Sequence, residues 1–455
     1  MLGVQPRFPP LIRKWYGSRL AVVLESILIG FIAGFVIAGF RLFLGQADIL
    51  RSRLYHALPL LPWYWTFSWT AALVLAGLFL GWAAKIRPMI RGSGIPQIKG
   101  ALHGKMALNP AAELPLKLVA GMLGLGAGLS LGREGPSIQM GAYVGQGVLS
   151  VFHRPYRDRK YLVTAASAAG VAAAFNAPLA GVLFAIEELQ PSFSPMYLAC
   201  TMGSAMAADT AAGIFFGMRP VFDFRYVQVL PLKLFFWVLL LGFTCSLLGE
   251  CFKRSLYLSL DLYDRLGIPL ILRPLLPLLV SVPLGLFFFD VTGGGHGLIE
   301  SLSDQDRALG TILLLLGGKV LFTGLCYGSG TAGGIFLPLL ACGALSGAGL
   351  GGLLVKGGII TGAQMLNFMI LGMAAFFTAV VKAPVTGVVL ILEMSGNFNH
   401  LGSLVLVCLV SFVTSELMAS RPVYAVLLER MSGAGRLRPV PARSRPPAAA
   451  PPDGN

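Results

Sequence analysis

An arginine and a glutamate, Arg133 and Glu134, stand side by side within a long apolar stretch of this sequence. Ionisable residues at membrane depth are costly to bury, so such a pair predicts a functional site. The glycines of the 126–135 stretch disfavour a continuous helix, whereas Pro136 suits the first turn of a new one. The pattern predicts a loop followed by a helix start, where unpaired backbone N–H groups can bind an anion. The Glu134 carboxylate can compete for that position.

The composition of the whole chain predicts a polytopic membrane protein. Hydrophobic residues make up 56% of the 455 residues, charged residues make up 12%, and the mean hydropathy is +0.76. Many of the 57 glycines and 29 prolines lie inside the apolar segments. Broken helices are tolerated at membrane depth only where protein or a water-filled cavity covers them, which favours a transporter or channel over an anchor. The expected fold class is an all-α polytopic membrane protein, with candidate spans at 19–40, 65–84, 162–186, 189–208, 226–249, 274–289, 320–355, 357–381 and 394–415.

Positive charge is concentrated at the ends of the chain and in one short loop. The formal net charge of +15 at pH 7, taken alone, suggests a nucleic-acid partner. The basic residues, however, flank apolar segments, as in segment 1–18, loop 153–160 and segment 430–445. Because cytoplasmic loops are enriched in Lys and Arg, we expect both termini and the loop in the cytoplasm and no nucleic-acid partner. Segment 431–455, rich in Pro, Ala and Arg, is expected to be a disordered cytoplasmic tail.

The chain repeats itself at an offset of about 202 residues. The matches are mostly glycines and prolines: Lys117/Lys319, Gly126/Gly328, Gly128/Gly330, Gly132/Gly334, Pro136/Pro338, Gly141/Gly343 and Gly170/Gly372. The motif Gly92-Ser93-Gly94 is paired with Gly295-His296-Gly297. Two halves with helices broken at matching positions predict a transporter whose site lies between repeats. We therefore divide the chain into a basic cytoplasmic segment 1–18, a first transmembrane repeat 19–222, a second repeat 223–430 and the tail 431–455.

Three separated motifs, Gly92-Ser93-Gly94-Ile95-Pro96, Gly132-Arg133-Glu134-Gly135-Pro136 and Gly334-Ile335-Phe336-Leu337-Pro338, together resemble the CLC family of chloride channels and proton-coupled chloride transporters. The resemblance extends to the segment 175–181 with its Glu187-Glu188 end, and to Pro422-Val423-Tyr424. It is to the prokaryotic type, without CBS domains. It implies a homodimer with one pore per subunit, each built from two inverted repeats of tilted and broken helices.

The resemblance also implies a central anion site. Ser93 and Tyr424 resemble the hydroxyl and phenol that donate hydrogen bonds to the anion, and the backbone N–H groups of Ile335 and Phe336 complete the site. Neutral donors suit this task because a full positive charge in contact would hold chloride too tightly for release. Seen alone, Ser93 is also compatible with a helix cap and Tyr424 with an interfacial aromatic residue.

For the acidic residues, the resemblance implies a proton pathway. Glu134 resembles the gating glutamate, whose ionised form occupies an anion position and whose protonated form swings away. Glu188 resembles the inner glutamate that passes protons from the cytoplasm, although a surface carboxylate at a helix end is the alternative. The sequence does not tell which of Glu187 and Glu188 faces the pathway. Arg133 either attracts anions or forms a structural salt bridge, and its neighbours Gly132 and Gly135 support the loop.

Three residues depart from the family pattern. Gln97 and Lys99 stand where several relatives carry acids, and Leu337 stands where a small alanine is common. Lys99 adds a positive charge close to the anion path. These departures leave open the proton-to-anion stoichiometry and the ranking of anions.

The favoured function is secondary active exchange of chloride for protons, and the alternative is a passive voltage- or pH-gated chloride channel on the same fold. An enzyme is not expected, because the five histidines are dispersed and no cluster of catalytic or metal-ligating residues is evident. Chloride, other small monovalent anions, protons and the lipid bilayer are the expected partners, with no cofactor and no metal. The expected location is a bacterial-type inner (plasma) membrane.

Overall fold

The computed structural model describes residues 19–152, 154, 156–191, 194–222, 224, 229–304 and 307–433. These residues form seventeen α-helices and no β-strand beyond isolated bridges. The predicted segment 1–18, residue 223 at the predicted repeat boundary and residues 434–455 of the predicted tail lie outside the described residues. Residues 431–433 are helical, so that part of the tail prediction is wrong.

The helices fall into two series of eight, followed by one more. The first series is α1 (Arg19–Ala57), α2 (Trp63–Ile86), α3 (Ile95–Leu102), α4 (Pro110–Gly126), α5 (Glu134–Val151), α6 (Tyr156–Phe175), α7 (Pro178–Phe184) and α8 (Pro195–Phe216). The second is α9 (Phe235–Arg265), α10 (Leu275–Phe287), α11 (His296–Asp304), α12 (Leu309–Gly328), α13 (Phe336–Lys356), α14 (Gly362–Val381), α15 (Pro384–Ser395) and α16 (Leu401–Leu417). The last helix is α17 (Val423–Gly433).

Helices of very different length confirm a multi-pass membrane protein of tilted and broken helices. Eight segments of the described chain are long and apolar enough to cross a membrane, and several helices, such as α3 and α7, are far too short to do so. The apolar run 320–355 is divided between α12 and α13, because the loop 329–335 contains the glycines that end one helix before the next begins. The first helix, α1, continues well beyond the span predicted at 19–40.

The centre of the protein is made by the helices that follow the two glycine-rich loops. In the most apolar window of α14, 83% of the residues are buried, compared with 33% in the peripheral helix α2. Helices α13 and α14 cross at Gly343 and Gly372, where an added Cβ atom would lie 2.5 and 2.3 Å from the carbonyl oxygen of the other glycine. Small residues allow this close approach. The helix that follows the second glycine-rich loop, α13, therefore packs closely against the most buried helix, α14.

Two buried lysines show how closely the halves correspond. Lys117 in α4 donates hydrogen bonds of 2.8 Å to the carbonyl oxygens of Ile90 and Gly92. Lys319 in α12 donates to the carbonyl oxygens of Val291 and Gly293, at 3.2 and 2.7 Å. Both lysines are fully buried. Each ammonium group therefore holds the chain that leads into a short helix, α3 in one half and α11 in the other.

The pairing of Gly92-Ser93-Gly94 with Gly295-His296-Gly297 is wrong by two residues. Two residues in Gly92-Ser93-Gly94 have positive φ angles, +60° and +89°, and the matching angles of +64° and +107° occur in Gly293-Gly294-Gly295. Positive φ is a conformation that glycine adopts without steric cost. The structural counterpart of Ser93 is therefore Gly294, and the second half has no hydroxyl at that position.

Candidate functional site

Backbone hydrogen bonds between three loops build the centre of the site. Gly132 and Gly334 exchange two of them, with N–O distances of 2.6 and 2.7 Å. Gly92 donates to the carbonyl of Thr331 and accepts from the N–H of Gly333, both at 3.1 Å. The loops that precede α3, α5 and α13 therefore meet in one place. The site is held by contacts between the two halves of the chain.

Ser93 lies just before α3 and is buried, with 1% of its surface exposed. Its hydroxyl oxygen accepts a 3.3 Å hydrogen bond from the N–H of Ile95. The start of α5 packs directly against it, because an added Cβ atom on Gly135 would lie 2.8 Å from Ser93 Cβ. Gln97 donates a 2.5 Å hydrogen bond from its side-chain amide to the carbonyl of Arg91. An ionised carboxylate at position 97 could not donate this bond.

Ile335, Phe336 and Tyr424 lie at the starts of α13 and α17. Ile335 is the residue before α13 and Phe336 is its first residue, and both are buried. N–H groups in the first turn of a helix have no acceptor within the helix. The phenol of Tyr424, the second residue of α17, is fully buried, and its oxygen has no hydrogen-bond partner among the described residues. Unpaired donors of this kind suit an anion that has lost its water.

Glu134 is the first residue of α5 and is completely buried. Its carboxylate lies beside the N–H groups of Glu134 itself and of Leu337. Neither carboxylate oxygen, however, makes a hydrogen bond of normal geometry to a described residue. The cations that act on it are Arg133 and Arg41. Glu134 is thus a buried carboxylate at a helix N-terminus, where the helix dipole favours negative charge.

Arg133 borders a cavity of about 810 Å³ that we call the arginine cavity. None of the ion pairs among the described residues includes Arg133, and its buried Nε atom has no hydrogen-bond partner. The charged lining comprises Arg41, Arg51, Arg53, Arg133 and Arg219 against Asp48, Asp290 and Glu300. A cleft lined by an excess of one charge concentrates ions of the other sign. The arrangement can attract anions, and among the described residues no carboxylate forms a salt bridge with Arg133.

Leu337 packs against Gly294 beside the arginine cavity. Its side chain borders the cavity, and one methyl carbon would lie 2.9 Å from an added Cβ atom on Gly294. Glu134, in contrast, is not among the residues that line the cavity. The larger side chain at this departure from the family pattern fills the space left by Gly294.

Glu188 forms an ion pair with Lys99, with 2.8 Å between Oε1 and Nζ. It belongs to a π-helical turn, Ala185–Leu189, which follows α7. The carboxylate is buried, with 6% of the side chain exposed, and the ammonium group lies on α3. Lys99 and Glu188 are therefore the two members of one ion pair. It connects the helix that follows Ser93 with the acidic end of the α7 segment.

The Glu187 side chain does not contact Lys99 but lies at the start of α15, where it has a structural role. Its carboxylate accepts hydrogen bonds from the N–H groups of Val385 and Thr386, at 3.3 and 2.8 Å, and from the Thr386 hydroxyl at 2.6 Å. It therefore caps the N-terminus of α15. Its counterpart Glu393 in α15 caps α7 in return, accepting bonds of 3.0 and 2.7 Å from residues 179 and 180. The two repeats are tied together by this exchange of carboxylates.

Sequence reasoning missed some of these features. Lys99 and Glu188 are 89 residues apart, and no local pattern connects them. Glu393 was not singled out, although its position relative to Glu187 follows from the repeat. Tyr327, whose phenol lies beside Ser93, carries no motif of its own. The described residues include no cluster of three or more His, Cys, Asp or Glu side chains that could hold a metal ion.

Comparison with known proteins supplies the family. A family model described as "Voltage gated chloride channel" matches residues 76–416. An H(+)/Cl(-) exchange transporter ClcA from Vibrio cholerae is 35% identical over 431 residues, with 91% of this chain and 90% of the relative covered. The solved structure of a slow cyanobacterial Cl-/H+ antiporter has a TM-score of 0.85 at 32% identity, covering 92% of this chain and 99% of the other. A eukaryotic CLC transporter shares the fold, with a TM-score of 0.75 at 22% identity, covering 90% of this chain and 74% of the other. The chain belongs to the CLC family of voltage gated chloride channels and chloride/proton transporters.

Proposed function

We propose that this protein is a secondary active antiporter that exchanges chloride for protons, with Glu134 as the gating glutamate. The observation that carries the proposal is the fully buried carboxylate of Glu134, the first residue of α5, which makes no hydrogen bond of normal geometry to any residue that the structure describes. When ionised, it occupies an anion position at the helix N-terminus. When protonated, it no longer competes as an anion and moves away. A proton and a chloride ion therefore exclude one another, and this competition couples their movements.

The anion competes from a site formed by Ser93, Tyr424 and the N–H groups of Ile335 and Phe336. All four groups are neutral donors, so they can replace part of the hydration shell without holding chloride irreversibly. The unpaired phenol of Tyr424 supports this assignment. Arg133 serves at a distance, where its unpaired charge raises the local concentration of anions in the arginine cavity.

Removing two of these donors should weaken chloride binding. In a Ser93→Ala, Tyr424→Phe double variant we expect chloride affinity to fall by at least ~10-fold, because each hydrogen bond to a charged group contributes roughly 1 to 3 kcal/mol. Both substitutions keep the size of the side chain nearly constant, so the fold should survive. Titration calorimetry in detergent measures the effect. An unchanged chloride affinity would show that the anion binds elsewhere.

Glu188 is proposed as the inner proton-transfer residue. It is buried beside Lys99, and both Glu188 and Glu134 lie within electrostatic range of Tyr424. A carboxylate at this place can hand protons from the cytoplasmic side toward Glu134. Its ion pair with Lys99 opposes protonation, since the ammonium group stabilises the charged form. We therefore expect proton supply through Glu188 to limit the exchange rate.

The same ion pair favours a second candidate, a passive chloride channel gated by voltage or pH. A carboxylate that never leaves its ammonium partner cannot carry protons, and chloride would then move alone. The two functions separate in one experiment on purified protein in lipid vesicles, with chloride efflux and internal pH recorded together. An exchanger acidifies the vesicle interior against the proton gradient as chloride leaves. A channel releases chloride with no such proton uptake.

We also propose a homodimer in a bacterial inner membrane with both termini in the cytoplasm. Support for the dimer comes from the apolar side chains left exposed along α8 and α16, including Met202, Met206, Val405, Leu409 and Val413. In the membrane, lipid or a second subunit can cover such faces. We expect the mass of a dimer in mild detergent, measured by light scattering. A monodisperse monomer with full transport activity would contradict the proposal.

A further inference from the structure

Tyr327 contributes a further hydroxyl group to the region of the Ser93 hydroxyl and the Tyr424 phenol. It lies in the last turn of α12 and is buried, with 6% of its surface exposed. An added Cβ atom on Gly92 would lie 3.0 Å from the Tyr327 oxygen and 3.3 Å from the ring carbon that bears it. The phenol thus fills the space where a side chain on Gly92 would lie, next to Ser93 in the chain.

The polar neighbours of the Tyr327 phenol are the hydroxyl and the backbone N–H of Ser93. The oxygen of Ser93 already accepts a hydrogen bond from Ile95. The phenol of Tyr424 has no hydrogen-bond partner in the part of the chain that the structure describes, and Tyr327 is the charged or polar group with the largest electrostatic influence on it. The Tyr327 phenol therefore lies at the start of the segment that leads through Ser93 into α3.

We propose that Tyr327 is a third hydroxyl of the anion site and determines its affinity and selectivity for small anions. The inference rests on the proposed anion site at Ser93 and Tyr424. A hydroxyl beside Ser93 either donates to the anion or donates to the serine oxygen and turns the serine proton toward the anion. In the first case the anion gains one neutral donor, and in the second case the serine hydroxyl is held in the orientation that donates to the anion. No full positive charge is added, so release remains possible.

Selectivity follows from the cost of dehydration. Chloride is smaller than bromide and loses more hydration energy on entering the site, so it depends more on the number of donors. Loss of one donor should weaken chloride more than bromide. If Tyr327 only fills space beside Gly92, removal of its hydroxyl should leave the anion affinities unchanged, because phenylalanine keeps the ring.

The test is Tyr327→Phe in the purified full-length protein, with chloride and bromide affinities measured by titration calorimetry in detergent. Tyr263→Phe is the matched control, since Tyr263 is also a buried tyrosine and its hydroxyl bonds to the carbonyl of Leu325 at 3.3 Å. We expect Tyr327→Phe to weaken chloride binding about 10-fold and bromide binding less, because the lost bond is one to an ion. Tyr263→Phe should bind both anions as the wild type does.

The Ser93→Ala, Tyr424→Phe variant tests the proposed anion site separately from the role of Tyr327 in that site. If that variant binds chloride weakly while Tyr327→Phe matches the wild type for both anions, the proposed anion site stands and the role of Tyr327 is refuted. If Tyr327→Phe weakens both anions equally, Tyr327 contributes affinity and the selectivity proposal fails. If the double variant binds chloride as the wild type does, the proposed anion site is wrong, and the inference about Tyr327 falls with it.

Discussion

Glu134→Gln is expected to leave chloride moving through a protein that no longer transports protons. Glutamine has the shape of the protonated glutamate but carries neither a proton to release nor a negative charge. In vesicles, chloride efflux should continue and should lose its dependence on pH, because the titrating competitor is gone. Proton uptake should fall to the level of vesicles without protein.

The natural control for this variant is Glu113→Gln. Glu113 is also a buried carboxylate of the first repeat, but it accepts a hydrogen bond from the backbone of Asn109 at the start of α4. The Glu113→Gln variant should keep proton transport coupled to chloride transport. Persistent uphill proton pumping in Glu134→Gln, driven by a chloride gradient, would rule out competition at Glu134 as the coupling device.

Glu188→Gln is expected to abolish proton transport while chloride transport is retained. The variant keeps the gate at Glu134 but removes the group that supplies it with protons from inside. Simultaneous recording of chloride and pH in vesicles should show chloride efflux at a rate similar to the wild type and no proton uptake. Proton uptake at the wild-type rate would show that protons reach Glu134 by another path.

The neighbouring acid and the partner base provide controls for Glu188. Glu187→Gln should keep proton transport and lower thermal stability, because it weakens the cap of α15, a contribution of roughly 1 kcal/mol. Lys99→Met should speed proton transport, since it frees Glu188 from an ion pair that opposes protonation. If Glu187→Gln were the variant without proton transport, the roles of the two glutamates would be exchanged.

The overall architecture was predictable because repetition and glycine spacing leave a strong signal. Breaks in apolar segments at matching positions required helices that end within the membrane. Helix α5 begins close to Pro136, as the loop pattern predicted. The error in pairing Ser93 with His296 has a physical cause. Residue types alone suggested Gly295-His296-Gly297, whereas the backbone requires positive φ at Gly293 and Gly295.

The electrostatic details of the site were not predictable from local sequence. Glu187 and Glu188 are adjacent in a π-helical turn, yet one carboxylate binds the start of α15 and the other binds Lys99. Tyr327 occupies an ordinary position in an apolar helix, and its importance comes from its contact with Gly92 across the fold. Such pairs depend on how separated helices meet, which the sequence of each helix does not contain.

The most direct test of coupled exchange is whether a proton gradient alone can move chloride. Vesicles containing the purified protein receive equal chloride concentrations on both sides, a clamped voltage of zero and a more acidic outside solution. We expect protons entering the vesicles to drive chloride out until a chloride gradient has formed, and we expect Glu134→Gln to abolish this movement. If wild-type vesicles develop no chloride gradient although chloride exchanges freely across the membrane, the protein is a passive channel and the proposed coupling is wrong.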